Sequence, residues 1–269
     1  MPLSGLVTIV CGASGAIGSA TVRALLAQDA NVVLAALPDS ALDRVAAEVT
    51  ARGGREARTL VVGVDLTRRC DVDAMVARTL ARFGRIDVLI NVAGIGSSPA
   101  LADCTDAELE RVVLVNLLGA ARAIHAVLPA MSAQGRGAIV NVGSIAGEAG
   151  VMGIYSGSKF GLRGLNDSLR REVRSLNIDV TLIEPGFVRS PMNPAMQGLP
   201  GPEVVADAIV SAILRPRRIR IVPALYWFPV LVATLFPGFT DLVFGNARIQ
   251  ARLNRDARKA NAAHDALPS

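Results

Sequence analysis

Cysteine is scarce in this sequence: Cys11, Cys70 and Cys104 are the only three, an odd number at wide spacing. That excludes a disulfide framework and points to a reducing, cytoplasmic setting. Histidine is scarcer still, with His125 and His264 alone, and no close cysteine pair accompanies them. A His/Cys zinc site is therefore excluded, and no metal is expected. Aromatic residues make up 4% of the chain, too few for the stacking platforms that bind single-stranded nucleic acid. A secretory leader is not expected, because the apolar run 6–10 is short and leads straight into a glycine turn.

Excess charge is also missing from most of the chain. The net charge is +5, but residues 1–214 hold 19 basic against 20 acidic side chains, a net of −1. From Arg215 onward there are nine Lys/Arg against three Asp/Glu, a net of +6. The basic character thus belongs to the tail, whereas a nucleic-acid groove would be spread over the body, so no nucleic-acid partner is expected.

What the chain has in quantity is apolar surface: 51% of 269 residues, with 19% charged. That suffices for one large α/β domain or two small ones. Short apolar runs at 6–10, 32–36, 60–64, 88–92, 139–142 and 180–183 read as strands. They are nearly continuous rather than alternating, which predicts strands covered on both faces. Between them, 19–28, 40–52, 72–82, 106–131 and 156–176 have helical spacing, with Ser40 and Asp106 as candidate N-caps. Strands alternating with helices predict a doubly wound parallel sheet. No linker or repeat divides it, so 1–222 is expected to be one domain and 223–269 an extension of it.

The extension is different in kind. Residues 221–244 are mostly apolar, with Tyr226, Trp227 and four phenylalanines, and are interrupted by Pro223, Pro229 and Pro237. Three prolines argue against a straight membrane span. Arginines flank the segment on both sides, so a substrate lid, a subunit interface and a peripheral membrane contact all stay open.

Directly after the first strand stand Gly12, Ala13, Ser14, Gly15, Ala16, Ile17 and Gly18, and a helix follows. A glycine turn between strand and helix brings backbone N–H groups and a helix N-terminus to a pyrophosphate. Asp65, followed by Leu66, ends the third strand, where its carboxylate could accept from an adenine amino group or simply cap the next segment. Asn91, Val92, Ala93 and Gly94 end the fourth, small enough for an adenine ribose to approach or for a turn.

Tyr155 and Lys159 are four residues apart at the start of a helix, on one face. With two tyrosines and two lysines in the chain, chance gives such a pair in about one or two sequences in a hundred. A phenol beside an ammonium and a nicotinamide cation is expected to have its pKa lowered, which suits acid–base work on an alcohol or carbonyl. Ser144 follows the fifth strand, at the carboxyl edge where ligands bind in such sheets.

Over residues 5–222 these motifs, together with Asn116 and the run Pro185, Gly186, Phe187, Val188, Arg189 and Ser190, resemble the short-chain dehydrogenase/reductases. The resemblance implies a seven-stranded Rossmann-like sheet, with 219–222 as the seventh strand. It implies a small-molecule alcohol or carbonyl substrate, an NAD(P) cofactor and a homo-oligomer. Tyr155 would be the proton donor or acceptor, Lys159 would lower its pKa and hold the nicotinamide ribose, and Ser144 would bond the substrate oxygen. Asn116 would hold a relay water; Val188 and Ser190 would contact the carboxamide.

Three departures stand out. Ala16 occupies the family's middle glycine position, and Ser144 and Tyr155 are about two residues closer than usual. Ala36 and Leu37 offer neither the carboxylate typical of NAD users nor the guanidinium of NADP users, and without a repelling carboxylate the balance tips slightly to NADP. The competing reading is a non-catalytic dinucleotide-binding sensor or scaffold on the same fold.

Overall fold

The structure is a computed structural model, and it describes residues 3–51, 56–96, 100–189, 198–246, 248, 249, 251 and 255. Seven parallel strands form one sheet in the order β3-β2-β1-β4-β5-β6-β7. They are β1 (Val7–Cys11), β2 (Asn31–Ala36), β3 (Thr59–Gly63), β4 (Val88–Asn91), β5 (Gly137–Val142), β6 (Ile178–Pro185) and β7 (Ile219–Val222). Helices α1 (Ala16–Leu26), α2 (Ser40–Ala51), α3 (Arg69–Phe83), α4 (Asp106–Val113), α5 (Ala120–Gln134), α6 (Ile145–Ala149), α7 (Gly153–Glu172) and α8 (Glu203–Leu214) complete the domain. The helices α9 (Trp227–Leu235) and α10 (Pro237–Phe244) follow β7.

The continuous apolar runs have the expected cause. In β1 and β2 the pleat sends Val10, Val32 and Leu34 to one core, with Leu25 of α1 and Ile209 of α8. Ile9, Val33 and Ala35 go to the other, with Met75 of α3 and Val127 of α5. Each fully buried Val, Leu or Ile contributes about 1.5–3 kcal/mol. Helix α5, although apolar, buries Ala123, Ile124, Val127 and Met131 against the sheet. Cys11 lies wholly inside, where burial pushes its thiol pKa up to about 12 and keeps it unreactive.

Four local readings are corrected. Asp39, not Ser40, caps α2, its Oδ1 accepting from the Leu42 N–H at 2.9 Å. Thr105, not Asp106, caps α4, reciprocally with Glu108. Between α4 and α5 the helix widens into a π segment, Leu114–Gly119, that contains Asn116. Helix α8 was not foreseen: it is buried on most sides, and Glu203, Asp207 and Ser211 leave only a narrow polar stripe.

The strand order reverses at β1, which has β2 on one side and β4 on the other. Such a switch point opens a crevice at the carboxyl ends of the strands. Cys11, Asn91 and Val142 end three adjacent strands there.

Candidate active site

The glycine turn fills the first side of this crevice. Gly12 has φ +90° and donates its N–H to Ala35 O at 2.7 Å. A Cβ on Gly12 would stand 2.6 Å from the Ala93 nitrogen, and one on Gly18 would stand 2.0 Å from the Gly12 oxygen. Both positions therefore admit only glycine without movement of the backbone. Gly15 is the extended N-cap of α1 and offers no side chain to the helix end. The first-turn N–H groups from Ala16 to Gly18 have no intrahelical acceptor, a ready anion site beside Ser14. Ala16 is helical, without a positive φ, so its methyl is accommodated where the family carries glycine.

The remaining strand ends line the same edge. Ala36 is buried at the end of β2, and Leu37 beyond it is exposed. Asp65 Oδ1 accepts from the Thr67 N–H at 2.8 Å and its hydroxyl at 2.7 Å. One carboxylate oxygen thus makes the local turn. Leu66 packs beneath Gly119 of the π segment. Asn91 points inward: its Nδ2 donates to Asn141 Oδ1 at 2.8 Å, and Asn141 Nδ2 donates to Asn166 Oδ1 at 3.1 Å. The amide of Asn91 therefore ties β4 to β5 and α7 rather than facing the crevice.

Opposite the turn, α7 begins at Gly153, so Tyr155 and Lys159 occupy its first turns. Lys159 is 5% exposed, and its Nζ donates to Val142 O at 2.9 Å. The Nζ is 5.9 Å from the Tyr155 ring centre. Burial brings the lysine pKa down to about 8. Ser144 caps α6, its Oγ accepting from the Ala146 N–H at 3.1 Å, and it is hydrogen-bonded to Tyr155. The short spacing between the two is taken up by the five-residue α6. Burial pushes the Tyr155 phenol up from its ordinary value, and the Ser144 bond only opposes this. Desolvation of the phenolate outweighs that bond in the protein by itself.

Asn116 braces the pair from behind. Its Oδ1 accepts from the Ile95 N–H at 2.8 Å, and its Nδ2 donates to Ile95 O at 3.0 Å and Ser158 Oγ at 3.1 Å. Ser158 in turn donates to Tyr155 O at 2.7 Å. Gly94 lies on the same floor, where a Cβ would be 3.3 Å from both Asn116 Oδ1 and Lys159 Nζ. Both amide N–H donors of Asn116 are engaged, so only its Oδ1 could bond a further water.

A buried ionic cluster, not foreseen from the sequence, underlies α6 and α7. Arg163, one turn beyond Lys159, pairs with Glu148, one turn beyond Ser144, and its Nη1 is 4.0 Å from Glu184 Oε1 of β6. Burial raises the Glu184 pKa to about 7, against the pull of Arg163. The only sequence signal was the i,i+4 spacing from each site residue. After Glu184, Pro185 pairs with Val222 in the sheet and the Gly186 N–H donates to Val222 O at 2.7 Å. Gly186 is needed for the Tyr226 ring, which would lie 2.3 Å from a Cβ there. Val188 is buried, and Ser190 lies outside the described residues.

A seven-stranded doubly wound sheet with a glycine turn and a Ser–Tyr–Lys group at its switch-point edge defines a dinucleotide-fold oxidoreductase architecture. The chain matches the family model described as short chain dehydrogenase over residues 6–198, and it belongs to that family. It is 33% identical over 221 residues to the ketoacyl reductase HetN of Nostoc sp., spanning 78% of this chain and 76% of that one. It is 36% identical over 192 residues to a 3-alpha-(or 20-beta)-hydroxysteroid dehydrogenase of Mycobacterium tuberculosis, spanning 71% and 72%. A Burkholderia phymatum short chain dehydrogenase/reductase, crystallised with NAD, shares the fold at a TM-score of 0.82 and 23% identity, covering 89% of this chain and 96% of that one.

Proposed function

We propose that this protein is an NAD(P)-dependent oxidoreductase that interconverts a lipophilic secondary alcohol and its ketone. The observation that carries the reading is the hydrogen-bonded Ser144–Tyr155 pair beside a buried lysine, set across the crevice from the glycine turn. The residues fit a dinucleotide: the turn has room only for backbone at Gly12 and Gly18, and Lys159 is a buried cation that donates to a neutral carbonyl. When bound, the nicotinamide exchanges a hydride with the substrate carbon.

The chain's own residues do the rest. The backbone of 12–18 would hold the pyrophosphate, and Asp65, Leu66, Ala93 and Gly94 would border the adenosine. Pro185, Gly186 and Val188 would border the nicotinamide. Tyr155 takes the alcohol proton in oxidation and returns one to the carbonyl oxygen in reduction. Ser144 already accepts from Ala146, and its O–H, which bonds Tyr155 in the protein by itself, would turn to the substrate oxygen as charge develops there. Lys159, with the positive nicotinamide ring, supplies the field that lowers the phenol pKa, which burial alone raises. The lack of a carboxylate at Ala36 and Leu37 supports NADP slightly over NAD. The lipophilic substrate class is supported by the named substrates of the relatives and by the apolar segment after β7.

The test is turnover of a panel of secondary alcohols and ketones with each cofactor, by wild type and Tyr155→Phe. We expect a rate loss of about 100- to 10,000-fold with cofactor affinity unchanged. A variant retaining more than about a tenth of the rate would defeat this assignment and favour the non-catalytic reading.

A further inference from the structure

The segment after β7 poses a question that catalysis does not answer. Six of the chain's ten aromatic residues lie between Tyr226 and Phe244. The segment is attached to the domain on one side only. Tyr226 packs over Gly186 and edge-on to Phe187, with ring centres 6.3 Å apart, and α9 packs on α6, the helix capped by Ser144. Ala233, Pro237, Thr240 and Asp241 line a cavity of about 390 Å³ against α6 and α7. Asp241, the sole acidic or basic residue of 221–244, lines this cavity and is itself exposed.

The outer side is apolar and open to solvent. Leu225 is 83% exposed, Leu242 76%, Phe228 66%, Phe236 61% and Trp227 58%. A soluble protein rarely leaves so many large side chains contiguous and uncovered. Neither helix alone reaches across a bilayer: α9 and α10 meet at 105°, and their 9 and 8 residues are about 14 and 12 Å long, against a hydrocarbon core of about 30 Å. Charge supplies the partner's chemistry. The apolar stretch holds no base, but Arg215, Arg217 and Arg218 before it and Arg248 and Arg255 after it are exposed, and the chain from Arg215 carries a net +6. Arginines bordering aromatic and aliphatic side chains match phosphate headgroups bordering acyl chains.

We infer that the bent pair α9–α10 is a foot by which the protein docks reversibly on an anionic phospholipid surface, with the outer side chains entering the headgroup–acyl boundary. The contact of α9 with α6 places that surface beside Ser144, so a lipophilic alcohol would enter from the bilayer. This last consequence rests on the proposed activity; the docking does not.

Trp227 is the chain's only tryptophan, which makes the full-length protein its own reporter. With phosphatidylcholine vesicles containing about a third phosphatidylglycerol at low salt, Trp227 emission should shift to the blue and the protein should float with the vesicles. High salt or pure phosphatidylcholine should reduce flotation about tenfold, and Leu225→Ser/Phe228→Ser/Leu242→Ser should reduce it about as much without lowering Tm. Unshifted Trp227 emission and no flotation would overturn docking, whether or not the protein turns over soluble alcohols. If wild type instead sediments as a dimer that the triple variant splits, a second copy covers the face. If docking holds while Tyr155→Phe stays active, only the catalytic reading fails.

Discussion

Lys159 donates to the main-chain oxygen of Val142 at 2.9 Å, from a position 5% exposed to solvent. A neutral carbonyl cannot offset the desolvation of an ammonium, and so the lysine pKa falls to about 8. Its charge is held ready for an incoming anion at a cost to stability.

That cost has a sign that can be checked. In the folded chain Lys159 gives up its proton near pH 8, but unfolded it keeps it to about 10.4. The unfolded state therefore binds more protons between these values, and this group's contribution to stability rises with pH across the window. At pH 7 the burial disfavours folding by up to about 3 kcal/mol. Lys159→Met should then abolish turnover and weaken cofactor binding, yet melt at or above the wild-type temperature at pH 7. A clearly lower Tm would mean that the Val142 bond matters more than the desolvation.

Glu184 works in the opposite sense. Its folded pKa of about 7 lies above the unfolded carboxyl value, so the stability it contributes is fully present below about pH 4.3 and is lost as pH rises through 7. Glu184→Gln should flatten the fall in Tm between pH 4.5 and 7 and leave Tm at pH 4 unchanged. Arg163→Met should do the reverse: it strands Glu148 and Glu184 without their cation, a loss of about 3–5 kcal/mol, and the deficit should widen with rising pH. Melts across pH 4–8 on the three proteins decide it. Parallel curves would show that Glu184 does not titrate there.

How much of this was legible follows from the range of each interaction. The strands were readable because a sheet covered on both faces needs unbroken apolar runs, and Tyr155 and Lys159 because four residues on a helix share a face. The glycine turn was readable from its place between β1 and α1. Arg163 with Glu148 and Glu184 was not, since three elements meet there and the i,i+4 spacings from Lys159 and Ser144 do not say that they meet. Thr105 stood beside Asp106, an equally good cap by type, and only geometry chose between them. The π segment at Asn116 has no letter pattern of its own, and α8 was missed although Glu203, Asp207 and Ser211 mark a narrow polar face at i, i+4 and i+8. The inward aim of Asn91 depends on Asn141 opposite it in the register.

The glycine turn allows a paired test. A Cβ on Gly18 would stand 2.0 Å from a main-chain oxygen, but one on Gly15, at φ −72°, would meet the same oxygen at 3.5 Å. Backbone cannot give way as a side chain can. Gly18→Ala should lower stability by about 1–3 kcal/mol and reduce cofactor affinity at least tenfold. Gly15→Ala should keep Tm within about a degree or two of wild type, a change below about 0.5 kcal/mol. Thermal melts and cofactor titration by fluorescence separate the two, and equal effects would remove the close approach of Gly18 to Gly12 as the reason for glycine.

In the proposed reading, cofactor choice would be set at the end of β2. Ala36 closes that strand, paired in register with Gly63 of β3, and Asp39, the nearest carboxylate that follows it, is spent on the cap of α2. A 2′-phosphate would thus meet no fixed negative charge at Ala36 or Leu37. Ala36→Asp introduces one where the adenosine ribose would lie, as an acceptor for its hydroxyls and a repulsion for a phosphate. We expect the ratio of kcat/KM with NADP to that with NAD to fall at least tenfold, a change of about 1.4 kcal/mol in transition-state binding. The site is buried, so the comparison must be made on a protein shown by its melt to be folded. If the ratio stays fixed in a folded variant, the ribose does not lie against the end of β2, and the selectivity must be sought in another loop of the crevice.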